Sequence, residues 1–241
     1  MNKISESCSF ILKDKSYLNL TKDECKEKIK EKIIPLFDRW YNSKCTDFSV
    51  YKDKDYIYEL INCYYKLSRR CILDSINWLK RNEFNAQDLK ILDDYNGIGL
   101  TTIDLIKKGF NNVNYFNDNK RQIKVFKRLC KKEKIKMPYN DKNHKNKYDI
   151  IIALELVEHY EKPFEYINKV IDLLNPGGYF IYSPSFKYNA IGHFRFYYNK
   201  KNIRHWCKYF GRYFNKELKK DFDRLYSGFY NKPIILKLKE I

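Results

Sequence analysis

Two rhythms divide this chain. Through residues 21–80, apolar side chains recur every three to four positions, the spacing of helices with one buried face. Thr21-Lys22-Asp23-Glu24 has the spacing of a capping box. Ile29, Ile33, Leu36, Phe37 and Trp40 follow as one stripe, with Pro35 placed to kink that helix. A polar, turn-like stretch, 42–54, leads to Asp55, which can cap a second helix from Tyr56 to about Lys80. Its stripe is Ile57, Leu60, Ile61, Tyr64, Leu67, Ile72, Ile76 and Leu79. Residues 1–20 are polar and mixed and read as a lead-in.

After residue 85 the rhythm changes to short apolar runs alternating with helical ones. Lys90 to Asp93, Val113 to Asn117, Tyr148 to Leu154 and Tyr179 to Tyr182 read as strands. Leu100 to Lys108, closed by Gly109, and Arg121 to Lys132 read as helices. Pro163 opens a further helix with apolar Phe164, Ile167, Val170, Ile171 and Leu174, and Asn175-Pro176-Gly177-Gly178 stops it. Residues 131–147 are rich in Lys and Asn, and a weak strand falls near Ile135 to Tyr139. A helix around Asn202 to Phe210 precedes candidate last strands at Phe229 and Ile234 to Leu238. Strand, helix and strand in succession call for parallel pairing. The pattern predicts a doubly wound α/β sheet of about seven strands with the last reversed, its ligand crevice where the strand order switches. It forms a domain over 86–241 behind an N-terminal helical extension, 1–85. The two extension helices either cover that crevice or pack on the sheet.

The junction Ile91-Leu92-Asp93-Asp94-Tyr95-Asn96-Gly97-Ile98-Gly99-Leu100-Thr101-Thr102 carries the first chemical signal. A strand ends in an acid, and Gly97 and Gly99 let the backbone approach a ligand before a helix whose N-terminus carries positive partial charge. A dinucleotide loop of the G-x-G-x-x-G kind is set aside, because Thr102 stands at its third glycine. Further on come Asn117-Asp118 after the second strand, Glu155-Leu156-Val157-Glu158-His159 after the strand ending at Leu154, and Leu174 to Gly178.

These segments, in this order over residues 88–186, resemble the class I S-adenosylmethionine-dependent methyltransferases. The resemblance implies S-adenosyl-L-methionine as cofactor and methyl transfer to O or N of a small or medium acceptor. It places Asp93 near the cofactor's ammonium group, Gly97 and Gly99 under its methionine part, Leu154 against it, and an acid after the second strand on the ribose hydroxyls. Asp141 is the candidate for the adenine amino group. Two positions depart from the family: Tyr95 stands where it has glycine, and Asn117 where it has the ribose acid, with Asp118 next to it. They fit a tuned enzyme, and equally a binding protein that kept the fold and lost cofactor chemistry.

If Glu155-x-x-Glu158-His159 starts a helix, the three share one face toward the cleft. His159, with an ordinary pKa near neutrality, is the candidate general base beside Glu155. Small-RNA 2′-O-methyltransferases and ubiquinone-pathway O-methyltransferases resemble this stretch. That likeness implies an alternative, less favoured divalent-metal cluster of Glu155, Glu158, His159 and His193, suited to Mg or Mn. His144 reads as solvated and His205 as packed on a helix. The aromatics from Tyr182 through Tyr188 to Tyr198 serve either an acceptor pocket or ordinary packing.

Composition adds less. The 48 Lys and Arg against 30 Asp and Glu give a formal charge of +18 over 241 residues, which allows a nucleic-acid partner as the alternative to a small molecule. Joint enrichment of Lys, Asn, Tyr and Ile is the compositional explanation for the same charge, and Lys outnumbers the better phosphate-reading Arg. Seven cysteines without C-x-x-C spacing argue for reduced thiols, and no apolar leader or membrane-length run appears. The expectation is a cytoplasmic protein with no membrane partner.

Overall fold

The computed structural model describes residues 22–44, 46–63, 68–82, 84–85, 87–95, 97–138, 146–184, 190–193, 212–227 and 233–240. In chain order these form α1 (Lys22–Asn42), a 3-10 helix (Phe48–Lys52), α2 (Tyr56–Cys63), α3 (Arg69–Arg81), β1 (Ile91–Asp94), α4 (Leu100–Lys107) and β2 (Val113–Phe116). Then follow α5 (Lys120–Lys132), β3 (Tyr148–Leu154), a 3-10 turn (Val157–His159), α6 (Pro163–Leu173) and β4 (Leu174–Ser183). Helical residues 212–218 precede β5 (Phe222–Ser227) and β6 (Ile234–Leu238).

The sheet has the order β2-β1-β3-β4-β6-β5. β1 pairs in parallel with β2 and β3, and β3 with β4, while β6 runs antiparallel to both its neighbours. The fold is therefore α/β and Rossmann-like with a reversed last strand, as the sequence pattern predicts. The sheet has six strands among the described residues rather than seven. Residues 135–138 of the expected weak strand form none, since that stretch offers Lys and Pro where a sheet edge needs alternating apolar residues. Tyr139, Asp141, His144, the 202–210 helix, Phe229 and the aromatics at 186, 188 and 194–198 lie outside the described residues.

β3 shows why the central strands are apolar throughout. Ile150, Ile152 and Leu154 enter one core with Cys71, Ile72, Ile76 and Leu79 of α3. Ile151 and Ala153 enter the other with Tyr166, Ile167 and Val170 of α6. A strand covered on both faces has no polar position to spare. α6 passes straight into β4, whose first pairings shift register near Tyr148 and Ile150; Gly177, at φ +70, sits in that irregular start.

The second expected helix, Tyr56 to Lys80, is two helices, α2 and α3, with residues 64–67 outside the described set. Its stripe serves two surfaces: Ile57 and Ile61 pack with Ile98, Leu100 and Phe126, whereas Cys71 to Leu79 pack on the sheet. One straight helix cannot reach both. α1 runs through Pro35 and buries Leu36 and Trp40 against Val50, Tyr56 and Ile191. No helix among the described residues is long and apolar enough to cross a membrane.

Candidate functional site

From β1 the chain moves outward to β2 and then crosses back to β3 on the other side, so a crevice opens between the carboxyl ends of β1 and β3. Asp93 pairs in register with Ile152, which sets the acid loop beside Leu154. A cleft of about 430 Å³ lies there, within the range of small-ligand sites. The loops after β1, β2 and β3 line it, and α2, with the 3-10 helix carrying Tyr51, walls its far side.

The glycine loop adopts a run of left-handed residues: Tyr95 at φ +52, Gly97 at +61 and Gly99 at +75. Tyr95 thus takes the conformation that glycine takes freely, at a cost of about 1–2 kcal/mol. Its ring meets Phe116 edge-on at 4.6 Å, and its hydroxyl bonds to the Asp118 carboxylate. Burial, then that carboxylate, pushes the Tyr95 phenol up, so it stays protonated as a donor. Asp93 is fully buried and accepts a hydrogen bond from the Thr102 hydroxyl, fixing the first turn of α4 rather than lining the cleft.

Asn117 is committed to the loop as well. Its amide donates to Gly97 O at 2.8 Å and to Gln122 Oε1 at 2.7 Å, and its oxygen accepts from the Asn119 amide. The exposed carboxylate at the cleft edge is the neighbouring Asp118. The buried Thr101 hydroxyl at the start of α4 has no hydrogen-bond partner among the described residues and lines the same cleft. A waiting hydroxyl, a carboxylate and a loop of positive φ at a helix N-terminus are what a ribose- and amino-acid-bearing cofactor needs.

Glu155-x-x-Glu158-His159 does not start an α-helix. Glu155 sits at φ +52 directly after β3, and residues 157–159 form a 3-10 turn, so Glu155 parts from Glu158 and His159. Glu155 accepts from Ser183 Oγ at 3.0 Å, while Glu158 turns inward and is fully buried. His159 faces the cleft with Nδ1 2.9 Å from the Tyr51 hydroxyl, which lies 3.2 Å from Gly192 O. A carbonyl only accepts, so Tyr51 donates to Gly192, Nδ1–H donates to Tyr51, and Nε2 keeps its lone pair. Desolvation pushes His159 down to about 4, against a smaller opposing effect from the Gly192 carbonyl, so the ring is neutral at physiological pH.

His193 is brought in from a distant loop. Its ring stacks edge-on with His159 at 4.8 Å, and its Nε2 is 3.9 Å from Glu158 Oε1. One donor atom from each of Glu158, His159 and His193 falls within 4.8 Å of the others, and Glu155 lies outside that group. Sequence reasoning passed over Tyr51 and Glu59, because 42–54 reads as polar and turn-like and Glu59 lies off the apolar stripe of its helix.

Residues 96–182 match the family described as a methyltransferase domain. The solved structure of magnesium protoporphyrin IX methyltransferase from Synechocystis PCC 6803, with bound SAM, is similar at 17% identity. That match covers 75% of this chain and 84% of that one, with a TM-score of 0.51. A Staphylococcus aureus protein assigned as a caffeoyl-CoA O-methyltransferase matches at 14% identity, covering 70% and 82%, with a TM-score of 0.50. No curated protein matches the sequence. Residues 96–182 thus match a methyltransferase domain, and the fold around them is the one that the S-adenosylmethionine-bound structure shares.

Proposed function

We propose that this protein is a methyltransferase with S-adenosyl-L-methionine as its cofactor, which methylates O or N of a small or medium acceptor, with His159 taking up the acceptor's proton. The observation that carries this is the His159 imidazole, kept neutral by burial and oriented by Tyr51 and Gly192, on the wall of the cleft that borders the glycine loop. The cofactor supplies an electrophilic methyl group on a sulfonium. The chain then has to position the acceptor, exclude water and accept a proton. Asp118 takes the ribose hydroxyls, with Tyr95 orienting its carboxylate. Gly97 and Leu154 form the contact surface, while Gly99, packed on Phe126 and outside the cleft lining, turns the chain into α4. Asn117 and Asp93 hold the loop and helix that present it, and Glu155 anchors the end of β3 through Ser183. α2 and the 3-10 helix that carries Tyr51 close the acceptor side, and the setting is the cytoplasm, which suits Cys63, Cys71 and Cys130 outside any disulfide.

Calorimetry with S-adenosylhomocysteine tests the site. Binding is expected, and Asp118→Ala should weaken it about 10- to 100-fold, the worth of hydrogen bonds to a charged group. No heat at millimolar ligand would leave a fold that has lost its cofactor chemistry.

The convergence of Glu158, His159 and His193 supports a second reading, in which the three hold Mg or Mn and His159 is a ligand rather than a base. Chelator would then abolish turnover and added Mg or Mn restore it. Turnover unchanged by chelator is the expected result if His159 is the base.

A further inference from the structure

The charge of this protein is segregated. The formal net charge is +18, and the exposed face of α5 carries seven Lys and Arg with no acid between Lys120 and Lys132. Inside the cleft the sign reverses. Glu59, Asp118 and Glu155 line it, and among the described residues no Lys or Arg does. The described lining therefore offers an anionic acceptor no cation, and the cofactor's own carboxylate is left to backbone N–H groups of the glycine loop.

The aromatic lining points the same way. Half-buried rings of Tyr51, Tyr95 and Tyr160 face the cleft, and Tyr56 backs Tyr51 edge-on at 5.1 Å. The negative faces of such rings, joined to a carboxylate away from bulk water, attract organic cations. Asp118 is accounted for by the ribose and Glu155 by Ser183. Glu59 is accounted for by neither. It projects from α2, half-buried, and its hydrogen bonds go to Asn62 and Cys63 of its own helix, both neutral groups.

We infer that the acceptor is an amine that enters the cleft as a cation, held by Glu59 and the tyrosine rings of the extension wall. This rests on the methyltransferase reading above and narrows its acceptor from oxygen or nitrogen to a basic nitrogen. The bound ammonium gives one proton to His159, and the freed lone pair forms the new bond to the methyl carbon. The carbon–sulfur bond breaks with its electron pair left on sulfur, and the methylated amine leaves as a cation. A phosphate-bearing strand is excluded from the cleft by the same carboxylates, whatever α5 attracts outside it.

Three molecules of nearly one shape test this: tyramine, tyrosol and 4-hydroxyphenylacetate, titrated by calorimetry into protein saturated with S-adenosylhomocysteine. Tyramine is expected to bind about tenfold or more tighter than tyrosol, with the acid not binding, as a desolvated cation–aromatic and carboxylate site gives. Glu59→Gln should erase that preference while leaving S-adenosylhomocysteine affinity unchanged, which also shows that the variant is folded. Equal binding of the three, binding of the acid, or binding of none overturns the inference. So does a Glu59→Gln loss that falls on S-adenosylhomocysteine instead, since Glu59 would then serve the cofactor. Failure of the wild-type protein to bind S-adenosylhomocysteine would instead remove the site reading beneath it.

Discussion

His159→Ala is expected to lower turnover about a hundredfold or more, the usual consequence of removing a general base, with cofactor affinity almost unmoved. In the wild-type protein the acid limb of turnover should fall near pH 4, where burial has moved His159, rather than at its ordinary 6.5. The same shift acts on stability. Between 6.5 and 4 the unfolded chain binds a proton that folded His159 refuses, so acidification through that window removes on the order of 3 kcal/mol. Asp94 works in the opposite sense. Burial, outweighing Lys169 and the Tyr166 hydroxyl, raises it from 3.8 to about 6, so the folded state keeps its proton longer and gains on acidification over that range. The two slopes overlap and oppose each other between about pH 4 and 6. The wild-type protein should show a nearly flat urea midpoint there, and His159→Ala, with the Asp94 slope alone, a rising one as pH falls. Full turnover in His159→Ala would remove both the base and the metal reading, since each needs that ring.

Gly99→Ala is expected to unseat the whole loop. A Cβ at Gly99 would lie 2.3 Å from a ring carbon of Phe126, which is fully buried against Tyr115 at 4.3 Å and has nowhere to go. The backbone at φ +75 adds left-handed strain. Overpacking of about 1–3 kcal/mol and strain of about 1–2 kcal/mol together predict a melting point lower by roughly 10 °C, and loss of S-adenosylhomocysteine binding. Gly109→Ala is the control. Its φ is +96, but nothing lies within 4 Å of a Cβ there, so it should show the strain without the clash. Equal melting points for the two variants would contradict this account.

Much of the fold is written in local pattern. β3 is readable to the residue because a strand buried on both faces must be an unbroken apolar run, the boundaries of α4 are marked by Gly99 and Gly109, and α5 starts one residue before the Arg121 read from the sequence. What a stripe cannot say is which surface it faces, so α2 and α3 read as one helix although they bury against different cores. The site was legible where backbone demands are special. The glycines and the odd Tyr95 pointed to the loop, and the structure gives Tyr95 glycine's φ while turning its ring onto Phe116. The part played by Asn117 was not legible, because an amide that cross-links Gly97 to Gln122 looks in sequence like a weakened acid. Tyr51 and Glu59 left no trace, since each acquires its surroundings only when the extension meets the cleft.

The bond between Tyr51 and His159 spans 108 residues of chain. Contacts that distant form only after most of the loop entropy between them has been spent, and they weigh on the rate of folding more than on its endpoint. The helices that hold Tyr51 leave the ribosome before the sheet, yet α3 packs against Ile150, Ile152, Ile181 and Ile235, all synthesised later. The histidine at the centre of the cleft is thus set late, by a segment made early that waits for its sheet.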